Sequence, residues 1–211
     1  MGADKGADAK NGKHQKSGKS GKDRRPPTAE KVAAALQVGE GFRLVDVDPA
    51  STPAFDGDQA AGEAALADNT AELAELQERL WAASRGGDAR NILLVCQGMD
   101  TSGKGGIMRH VVGAVDPQGV RHTAFKAPTE EERRHDFLWR IKKAVPRPGE
   151  IGVFDRSHYE DVLIVRVHDL VPQATWEKRY AAINRFEADL VEAGTTCHGA
   201  SGVEHAVSAT W

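Results

Sequence analysis

The sequence predicts a doubly wound α/β fold organised around a parallel sheet, and three observations carry this prediction. Short, continuous apolar runs, such as NILLVCQG at residues 91–98, are typical of parallel strands that are buried on both faces. Amphipathic helical segments alternate with these runs along the chain. A glycine-rich loop directly follows the first run, at the edge of the sheet where open α/β folds bind ligands.

The first 27 residues are predicted to form a disordered basic tail. From Met1 to Arg25 there are eight lysines or arginines and three aspartates, but no aromatic or branched aliphatic residue. Such a segment cannot bury enough apolar surface to offset the entropy that it would lose on ordering. Because the whole chain carries a net charge of −3, the remainder of the chain is acidic.

Residues 28–90 are expected to form an N-terminal helical wrap. The segment AEKVAAAL predicts a short helix, and a stretch rich in Gly, Pro and Asp follows it. A longer helix is predicted from about Gln59 to Ser84, closed by Gly86 and Gly87. Its apolar face, which we expect to pack against the sheet, contains Leu66, Leu73, Leu76 and Leu80.

Residues 91–196 are predicted to form a phosphate-loop domain. Its first strand is followed by the glycine-rich loop, a helix over Lys104–Val115 and a second strand over Val120–Phe125. Thr129 and Glu132 form a capping box that is expected to open another helix. The inward apolar residues of that helix are Phe137, Leu138, Ile141 and Val145.

A third buried strand and a long amphipathic helix complete the predicted domain. The strand runs over Ile151–Phe154 and ends in Asp155. The helix stops at Gly194, and its apolar residues are Trp176, Tyr180, Ile183 and Leu190. Strands and helices therefore alternate throughout, as a doubly wound sheet requires.

Composition excludes several classes of protein. Of the 211 residues, 40% are hydrophobic and 28% are charged, values near those of ordinary globular domains, which excludes fibrous and wholly disordered proteins. No apolar run reaches the roughly 18 residues of a membrane span, and the polar N-terminus does not resemble a secretory signal. The two cysteines, Cys96 and Cys197, are too few for a disulfide scaffold. We therefore expect a cytoplasmic protein without a membrane partner.

The sequence GMDTSGK, from Gly98 to Lys104, matches the phosphate-loop pattern G-x-x-x-x-G-K between a strand and a helix. Backbone N–H groups of such a loop converge on phosphate oxygens, and Lys104 can neutralise a transferring phosphoryl group. Gly105 stands where a hydroxyl residue usually binds magnesium, so Asp100 is the candidate oxygen donor. The predicted phosphate- or nucleotide-binding residues here are Gly98, Thr101, Ser102, Gly103, Lys104, Gly105 and Gly106.

Asp155 and Arg156, in the segment FDRSHYED, are predicted to complete a catalytic site. Asp155 follows a buried strand at the ligand-binding edge of the sheet, so it should face the phosphate loop. Together with Asp100 it would hold one or two magnesium ions, while Arg156 would stabilise the charge of the moving phosphoryl group. The alternatives are a helix N-cap for Asp155 and a surface ion pair for Arg156. His158 and Tyr159 are predicted to be structural.

A basic segment suggests a polyanionic ligand. Between Arg121 and Arg147 there are eight basic and four acidic residues. If these side chains share one face, they suit a long phosphate chain or a nucleic acid better than a nucleotide alone; the alternative is a solvated helix face. Lys126, at the end of a strand, is the strongest candidate for phosphate binding, followed by Arg133 and Arg140.

Several sequence blocks in the same order resemble the polyphosphate kinase 2 family. These blocks are STPAFDGD, QGMDTSGKGG, VDPQGV, FKAPTEEE, HDFLWRI, GEIGVFDRSHYEDV and VRVHDLVP, and the resemblance runs from about Val38 to Thr196. It implies a fold like that of thymidylate kinase, a need for magnesium, and transfer of phosphoryl groups between inorganic polyphosphate and AMP or ADP. The positions that match the family's catalytic residues are Asp100, Lys104, Asp155 and Arg156.

The resemblance also bears on ligands and assembly. It implies that Lys126 and the neighbouring arginines contact polyphosphate. The expected partners are therefore inorganic polyphosphate and a purine nucleotide, with no nucleic acid, and we expect a homo-oligomer.

The C-terminal segment departs from the family pattern. Family members continue after GTT with an apolar strand, a basic lid and further helices, whereas this chain continues as CHGASGVEHAVSATW. We therefore expect residues 197–211 to be a divergent tail, the kinase domain at residues 91–196 to lack its next strand, and the 211-residue form to be poorly soluble or inactive.

Two rival functions remain open at this point. One is a nucleotide-binding module that has lost turnover, suggested by the missing lid. The other is an ATP-dependent kinase for a small metabolite, which shares the phosphate loop but does not need a long cationic track. Product formation from polyphosphate without ATP would discriminate between these functions and the polyphosphate-dependent reaction.

Overall fold

The computed structural model describes residues 28–39, 41–48, 50–98 and 102–202. In these ranges four parallel strands form one sheet with the order β2-β3-β1-β4. The strands are β1 (Asn91–Gly98), β2 (Val120–Ala124), β3 (Ile151–Asp155) and β4 (Thr195–Gly202). The predicted basic tail, Asp100, Thr101 and the last nine residues lie outside the described ranges.

Six α-helices connect and flank the strands in the described ranges. They are α1 (Ala29–Leu36), α2 (Gln59–Arg85), α3 (Lys104–His110), α4 (Trp139–Ala144), α5 (Glu160–Val167) and α6 (Gln173–Glu192). Helices and parallel strands alternate from β1 to β4, so the predicted α/β fold class is confirmed. None of the described helices combines the length and apolar character that a membrane crossing needs.

The register of the central strands brings their carboxyl ends together. Asp155, at the end of β3, pairs with Cys96 of β1 on one side and with Ala124 of β2 on the other. Beneath this edge, Leu93, Val95 and Phe154 form the core together with helix and loop residues. Whatever follows these three strands therefore emerges at one edge of the sheet.

The expectation that the sheet lacks its next strand was wrong. Residues Thr195–Gly202 form β4 and pair with the whole of β1, from Asn91↔Thr195 to Gly98↔Gly202. The segment contains few strand-favouring side chains, but its backbone completes the hydrogen bonding of an edge that β1 already presents. Gly194 adopts φ +99°, a conformation that favours glycine, and turns the chain from α6 into this strand.

The helix predicted after the capping box is divided. Both capping-box hydrogen bonds form, from the Thr129 N–H to Glu132 Oε2 (2.7 Å) and from the Glu132 N–H to Thr129 Oγ1 (3.2 Å). They close only a short 3₁₀ turn, because the backbone becomes extended at His135 (φ −114°, ψ 169°). The Asp136 side chain then accepts from the Leu138 N–H (3.0 Å), immediately before α4 begins.

Two other helices differ from the prediction. Helix α3 ends at His110, and a 3₁₀ turn over Val112–Ala114 replaces the predicted continuation to Val115. This stretch combines β-branched residues with Gly113, which all disfavour helix relative to alanine. Helix α5 was not predicted, because its sequence EDVLIVRV is rich in β-branched residues. Its two acidic residues in the first turn favour the helix through its dipole.

Helix α2 begins after the Asp58 N-cap and ends before Gly86, close to the predicted bounds. Its predicted apolar face is not uniformly buried, since Leu66 and Leu76 are exposed. The buried residue of this helix is Gln77, which packs on Gly119 immediately before β2. A Cβ atom at Gly119 would clash with the Gln77 amide in its present position, so the glycine leaves room for this contact.

Candidate functional site

The described part of the phosphate loop leads from β1 into α3. Lys104, the first residue of α3, donates through Nζ to the Gly98 carbonyl oxygen at the end of β1 (2.5 Å). Gly103 adopts φ +86°, which favours glycine and sets the turn into the helix. Ser102 Oγ is buried and has no hydrogen-bond partner among the described residues. Lys104 thus connects the start of α3 to the end of β1, and its binding of phosphate stays a prediction.

Asp155 ends β3 beside this loop. Its Oδ1 atom is buried, and within the described ranges no group donates a hydrogen bond to it. The alternative interpretation of Asp155 as a helix N-cap is wrong, because Tyr159 occupies the N-cap position of α5. A buried carboxylate oxygen without a donor is costly unless a cation or another ligand satisfies it.

Arg156 adopts an unusual backbone conformation next to Asp155. Its φ is +62°, in the left-handed region that non-glycine residues rarely occupy. The Arg156 N–H donates to the Cys96 carbonyl oxygen of β1 (2.9 Å), which holds the strained residue against the neighbouring strand. Strain of this kind persists where surrounding structure fixes it and is concentrated at functional sites.

Two of the predicted site residues, Asp155 and Lys104, act electrostatically on Cys96 of β1. Burial raises the pKa of the Cys96 thiol, the Asp155 carboxylate raises it further, and Lys104 lowers it. Both charges are thus close enough to act on the same side chain. Lys104 reaches the end of β1 through its hydrogen bond to the Gly98 carbonyl, and Asp155 and Arg156 lie at the end of the neighbouring strand β3. Asp100 lies outside the described residues.

The end of β2 opens into a cavity of about 500 Å³. Cationic and aromatic side chains line it, among them Phe125, Lys126, Trp139, Arg140 and Lys143. The Lys143 Nζ lies 3.7 Å from the centroid of the Trp139 ring. The Lys126 side chain is exposed, so this lysine is available to an anionic ligand.

Arg140 and Arg133 are engaged by the protein itself. The Arg140 side chain is only 9% exposed and donates to the Lys126 carbonyl oxygen (2.7 Å). It also lies 3.7 Å from carboxylate oxygens of Glu132 and Asp161. Arg133 donates to the Pro128 carbonyl oxygen (3.0 Å). Arg140 thus ties the segment after β2 to α5, a role that the prediction of phosphate binding did not include.

A buried polar cluster of His158, Tyr159 and Glu187 lies directly after the Asp155–Arg156 turn. His158 Nε2 lies 2.9 Å from Glu187 Oε1, and the Tyr159 hydroxyl donates to the same oxygen (2.5 Å). Burial raises the pKa of Tyr159, and the Glu187 charge raises it further. His158 and Glu187 are buried, which agrees with the prediction of a structural role for His158 and Tyr159.

Glu187 itself was missed by the sequence analysis. It lies on α6 four residues after Ile183 and three before Leu190, so it occupies the helix face that is otherwise apolar. Gln97, discussed below, was also missed, because it is the last polar residue of an apolar strand. In both cases the signal was a polar side chain at a position where the periodicity requires an apolar one.

Cys197 on β4 is expected to react slowly with thiol reagents. Burial, together with the nearby Glu187 charge, raises its pKa from 9.0 to about 11. Since the thiolate is the nucleophile, this shift lowers the reactive fraction at pH 8 by about a hundredfold. Iodoacetamide labelling of the Cys197 peptide, followed by mass spectrometry, should therefore accelerate up to about pH 11 in the native protein.

The same chain in urea provides the control for this experiment. In the unfolded protein the labelling rate should level off near pH 9, because neither burial nor Glu187 acts on the thiol. A native-state rate that levels off at the same pH as the unfolded chain would contradict the placement of Cys197 beside Glu187.

Comparisons with known proteins match this geometry. The sequence profile of the family described as Polyphosphate kinase 2 (PPK2) matches residues 56–198. The AMP/ADP-polyphosphate phosphotransferase of Meiothermus ruber is 48% identical over 161 residues, covering 76% of this chain and 59% of the relative. The ADP-polyphosphate phosphotransferase of Rhodopseudomonas palustris is 39% identical over 174 residues, covering 76% and 58%.

A solved structure agrees with these relatives. The crystal structure of Polyphosphate Kinase 2 from Arthrobacter aurescens TC1 is 57% identical and superimposes with a TM-score of 0.80, covering 83% of this chain and 62% of that one. The chain thus spans about three fifths of the length of the proteins that it matches. Since the profile match alone covers more than half of the residues, the chain belongs to the polyphosphate kinase 2 family.

Proposed function

We propose that this chain transfers phosphoryl groups between inorganic polyphosphate and a purine nucleotide, converting AMP or ADP to ADP or ATP. The observation that carries the proposal is that Lys104 binds the Gly98 carbonyl at the end of β1, while Asp155 and Arg156 lie beside Cys96 at the end of the neighbouring strand β3. The printed names of the relatives, which describe AMP/ADP-polyphosphate and ADP-polyphosphate phosphotransferases, support the choice of substrates.

The proposed mechanism relies on charge and positioning. Phosphoryl transfer needs little covalent chemistry from a protein, so cations placed around the moving group supply most of the rate enhancement. Lys104 would neutralise the phosphate at the loop, and Arg156 would stabilise the charge that develops during transfer. The bond that breaks in polyphosphate and the bond that forms on the nucleotide are both phosphoanhydrides, so the free-energy change is small and the direction follows the concentrations of substrates.

The donor set at the site fits magnesium. The buried Asp155 Oδ1, which accepts no hydrogen bond from the described residues, is the oxygen that a hard divalent cation prefers. We propose that Asp155 holds the ion together with Asp100. When bound, magnesium supplies neutralising charge to the phosphate oxygens. Asp155 would contribute negative charge to hold the ion, while Lys104 and Arg156 would bind phosphate oxygens directly.

A transfer assay tests the proposed function. The protein would be incubated with ADP, inorganic polyphosphate and magnesium in the absence of ATP, and ATP formation would be measured. ATP formation supports the proposal. Failure to form ATP while the chain binds ADP with micromolar affinity would favour the nucleotide-binding module. Phosphorylation of a small metabolite by ATP, with no use of polyphosphate, would favour the metabolite kinase.

Lys126 is expected to contribute to polyphosphate binding, because it is an exposed cation on the cavity at the end of β2. Replacing Lys126 with alanine should raise the KM for polyphosphate by on the order of tenfold, with a smaller effect on kcat. Steady-state kinetics at varied polyphosphate concentration would measure both. Lys178→Ala, which removes an exposed lysine from α6, is the matched control. An unchanged KM in Lys126→Ala would exclude this residue from the polyphosphate site.

A further inference from the structure

We propose that Gln97 is a positioning residue that holds the phosphate loop against the Asp155–Arg156 turn. Gln97 is the residue immediately before Gly98, where the loop begins. The inference rests on the proposed function, since it assigns the geometry of that same site. Gln97 acts through its neighbours, because its side-chain hydrogen bonds go to Ser157 and Glu160.

A continuous chain of hydrogen bonds joins the two segments through the Gln97 amide. The Tyr159 N–H donates to Ser157 Oγ (3.2 Å), and Ser157 Oγ donates to Gln97 Oε1 (3.3 Å). Gln97 Nε2 then donates to Glu160 Oε1 (2.6 Å), at the first residue of α5. The side chain of Gln97 thus connects the end of β1 to the turn after Arg156 and to the helix that follows it.

The orientation of every group in this chain is determined by its partners. The Glu160 carboxylate can only accept, so the NH₂ side of the Gln97 amide must face it. The backbone N–H of Tyr159 can only donate, so it occupies a lone pair of Ser157 Oγ and leaves the hydroxyl proton for Gln97 Oε1. Glutamine is therefore used in both of its capacities, as donor to one partner and as acceptor from the other.

The bridge lies where the sheet no longer holds the two segments together. The last backbone contact between them is the hydrogen bond from the Arg156 N–H to the Cys96 carbonyl (2.9 Å). The β1–β3 register ends at Cys96↔Asp155, and the Gln97 side chain provides a further connection from β1 to Ser157 and Glu160. Ser157 is fully buried and Gln97 half-buried, so water competes weakly for these hydrogen bonds.

A change to glutamate tests the bridge sharply. In Gln97→Glu the new carboxylate would face the Glu160 carboxylate at the distance of the present hydrogen bond, so the two would repel. The double variant Gln97→Glu/Glu160→Gln exchanges the two side chains and restores both hydrogen bonds. The glutamine at position 160 donates to the glutamate at position 97, and the Ser157 hydroxyl donates to the same glutamate. The single variant Glu160→Gln keeps an acceptor and should lose less than Gln97→Glu.

The readouts separate positioning from folding and from the proposed reaction. Binding of inorganic tripolyphosphate in the presence of magnesium would be measured by titration calorimetry. The kcat for transfer from polyphosphate to ADP and the thermal midpoint would be measured on the same samples. The matched control is Gln173→Glu, since Gln173 Nε2 donates to Glu177 Oε1 over the same 2.6 Å on the exposed face of α6.

We expect Gln97→Glu to weaken tripolyphosphate binding and lower kcat by about tenfold or more, as loss of a supporting hydrogen bond does at other charged sites. The double variant should recover to within about threefold of the wild type, and Gln173→Glu should bind and turn over normally. A merely structural role would lower the thermal midpoint without changing binding by the folded protein.

Three results would overturn the inference. Gln97→Glu could bind tripolyphosphate as the wild type does, the double variant could recover nothing, or the wild type could fail to bind tripolyphosphate at all. The proposed function fails separately, when the wild type binds tripolyphosphate but transfers no phosphoryl group to ADP. In that case the binding measurements alone decide the role of Gln97.

Discussion

Replacing Asp155 with asparagine is expected to lower turnover at saturating nucleotide and polyphosphate by on the order of a hundredfold or more. The substitution preserves the size of the side chain but removes the charge that would hold magnesium at the phosphate oxygens. Asp155 Oδ1 is buried, and no described residue donates to it, so the carboxylate charge is not already neutralised by a hydrogen bond from that part of the chain. Because the effect falls on the reacting phosphoryl group, kcat should fall much more than nucleotide affinity.

Two measurements check this prediction. Steady-state assays at varied magnesium would give kcat, and calorimetric titration with ADP in the absence of magnesium would give nucleotide affinity, which should change little. Asp189→Asn removes an exposed carboxylate from α6 and serves as the control for loss of charge elsewhere. Equal turnover in Asp155→Asn and the wild type would refute the metal-binding role of this residue.

The part of the fold around β1 and β3 was predictable from the sequence because burial on both faces leaves a simple pattern. The run NILLVCQG is apolar from Ile92 to Cys96, the run IGVF contains no polar side chain, and the structure places both in the centre of the sheet. The edge strand β4 had no such pattern, since its TTCHGASG sequence contains small and polar residues. Its position depends on the exposed edge of β1, which is a tertiary interaction that local propensity does not record.

The sequence predicts those site residues whose role follows from the chemistry of their side chains. It does not predict the residues whose role depends on which other parts of the protein they contact. Lys104, Asp155 and Arg156 stand out because only such side chains can neutralise phosphate or hold a cation. Arg140 shows the limit of this reasoning. Its charge suggested a phosphate ligand, but the guanidinium is buried against the Lys126 carbonyl. An arginine in a sequence does not reveal whether its partner is a ligand or the protein.

Gln97 and Glu187 show that the sequence also does not reveal which polar residues support the site. Each makes its hydrogen bonds to residues far along the chain, Gln97 to Ser157 and Glu187 to His158. Sequence periodicity identifies which face of an element is buried but not which buried polar groups meet there. Only the packing of β1 against the turn after β3, and of α6 beneath it, brings these pairs together.

Phe154→Ala is expected to have the largest effect on stability, lowering the free energy of unfolding by about 3–5 kcal/mol. Phe154 is fully buried near the end of β3, where it pairs with Val95 of β1 and Thr123 of β2. Its ring packs edge to face on Phe125, with centroids 4.9 Å apart and planes at 85°. Removing the ring leaves a cavity in the core that the surrounding sheet cannot easily fill. It also removes the aromatic contact with Phe125.

Urea denaturation monitored by circular dichroism would measure the loss, with Phe42→Ala as the matched control. Phe42 is 41% exposed, so truncating it should cost about 1 kcal/mol or less. The predicted loss at Phe154 is a large fraction of the roughly 5–15 kcal/mol that stabilises a typical domain, so the variant should unfold at a clearly lower urea concentration. Since Asp155 is the next residue of β3, any folded fraction of Phe154→Ala should also turn over more slowly than the wild type. A loss of stability no greater than that of Phe42→Ala would mean that β3 is not the centre of the core, and the placement of Asp155 between β1 and β2 would have to be abandoned with it.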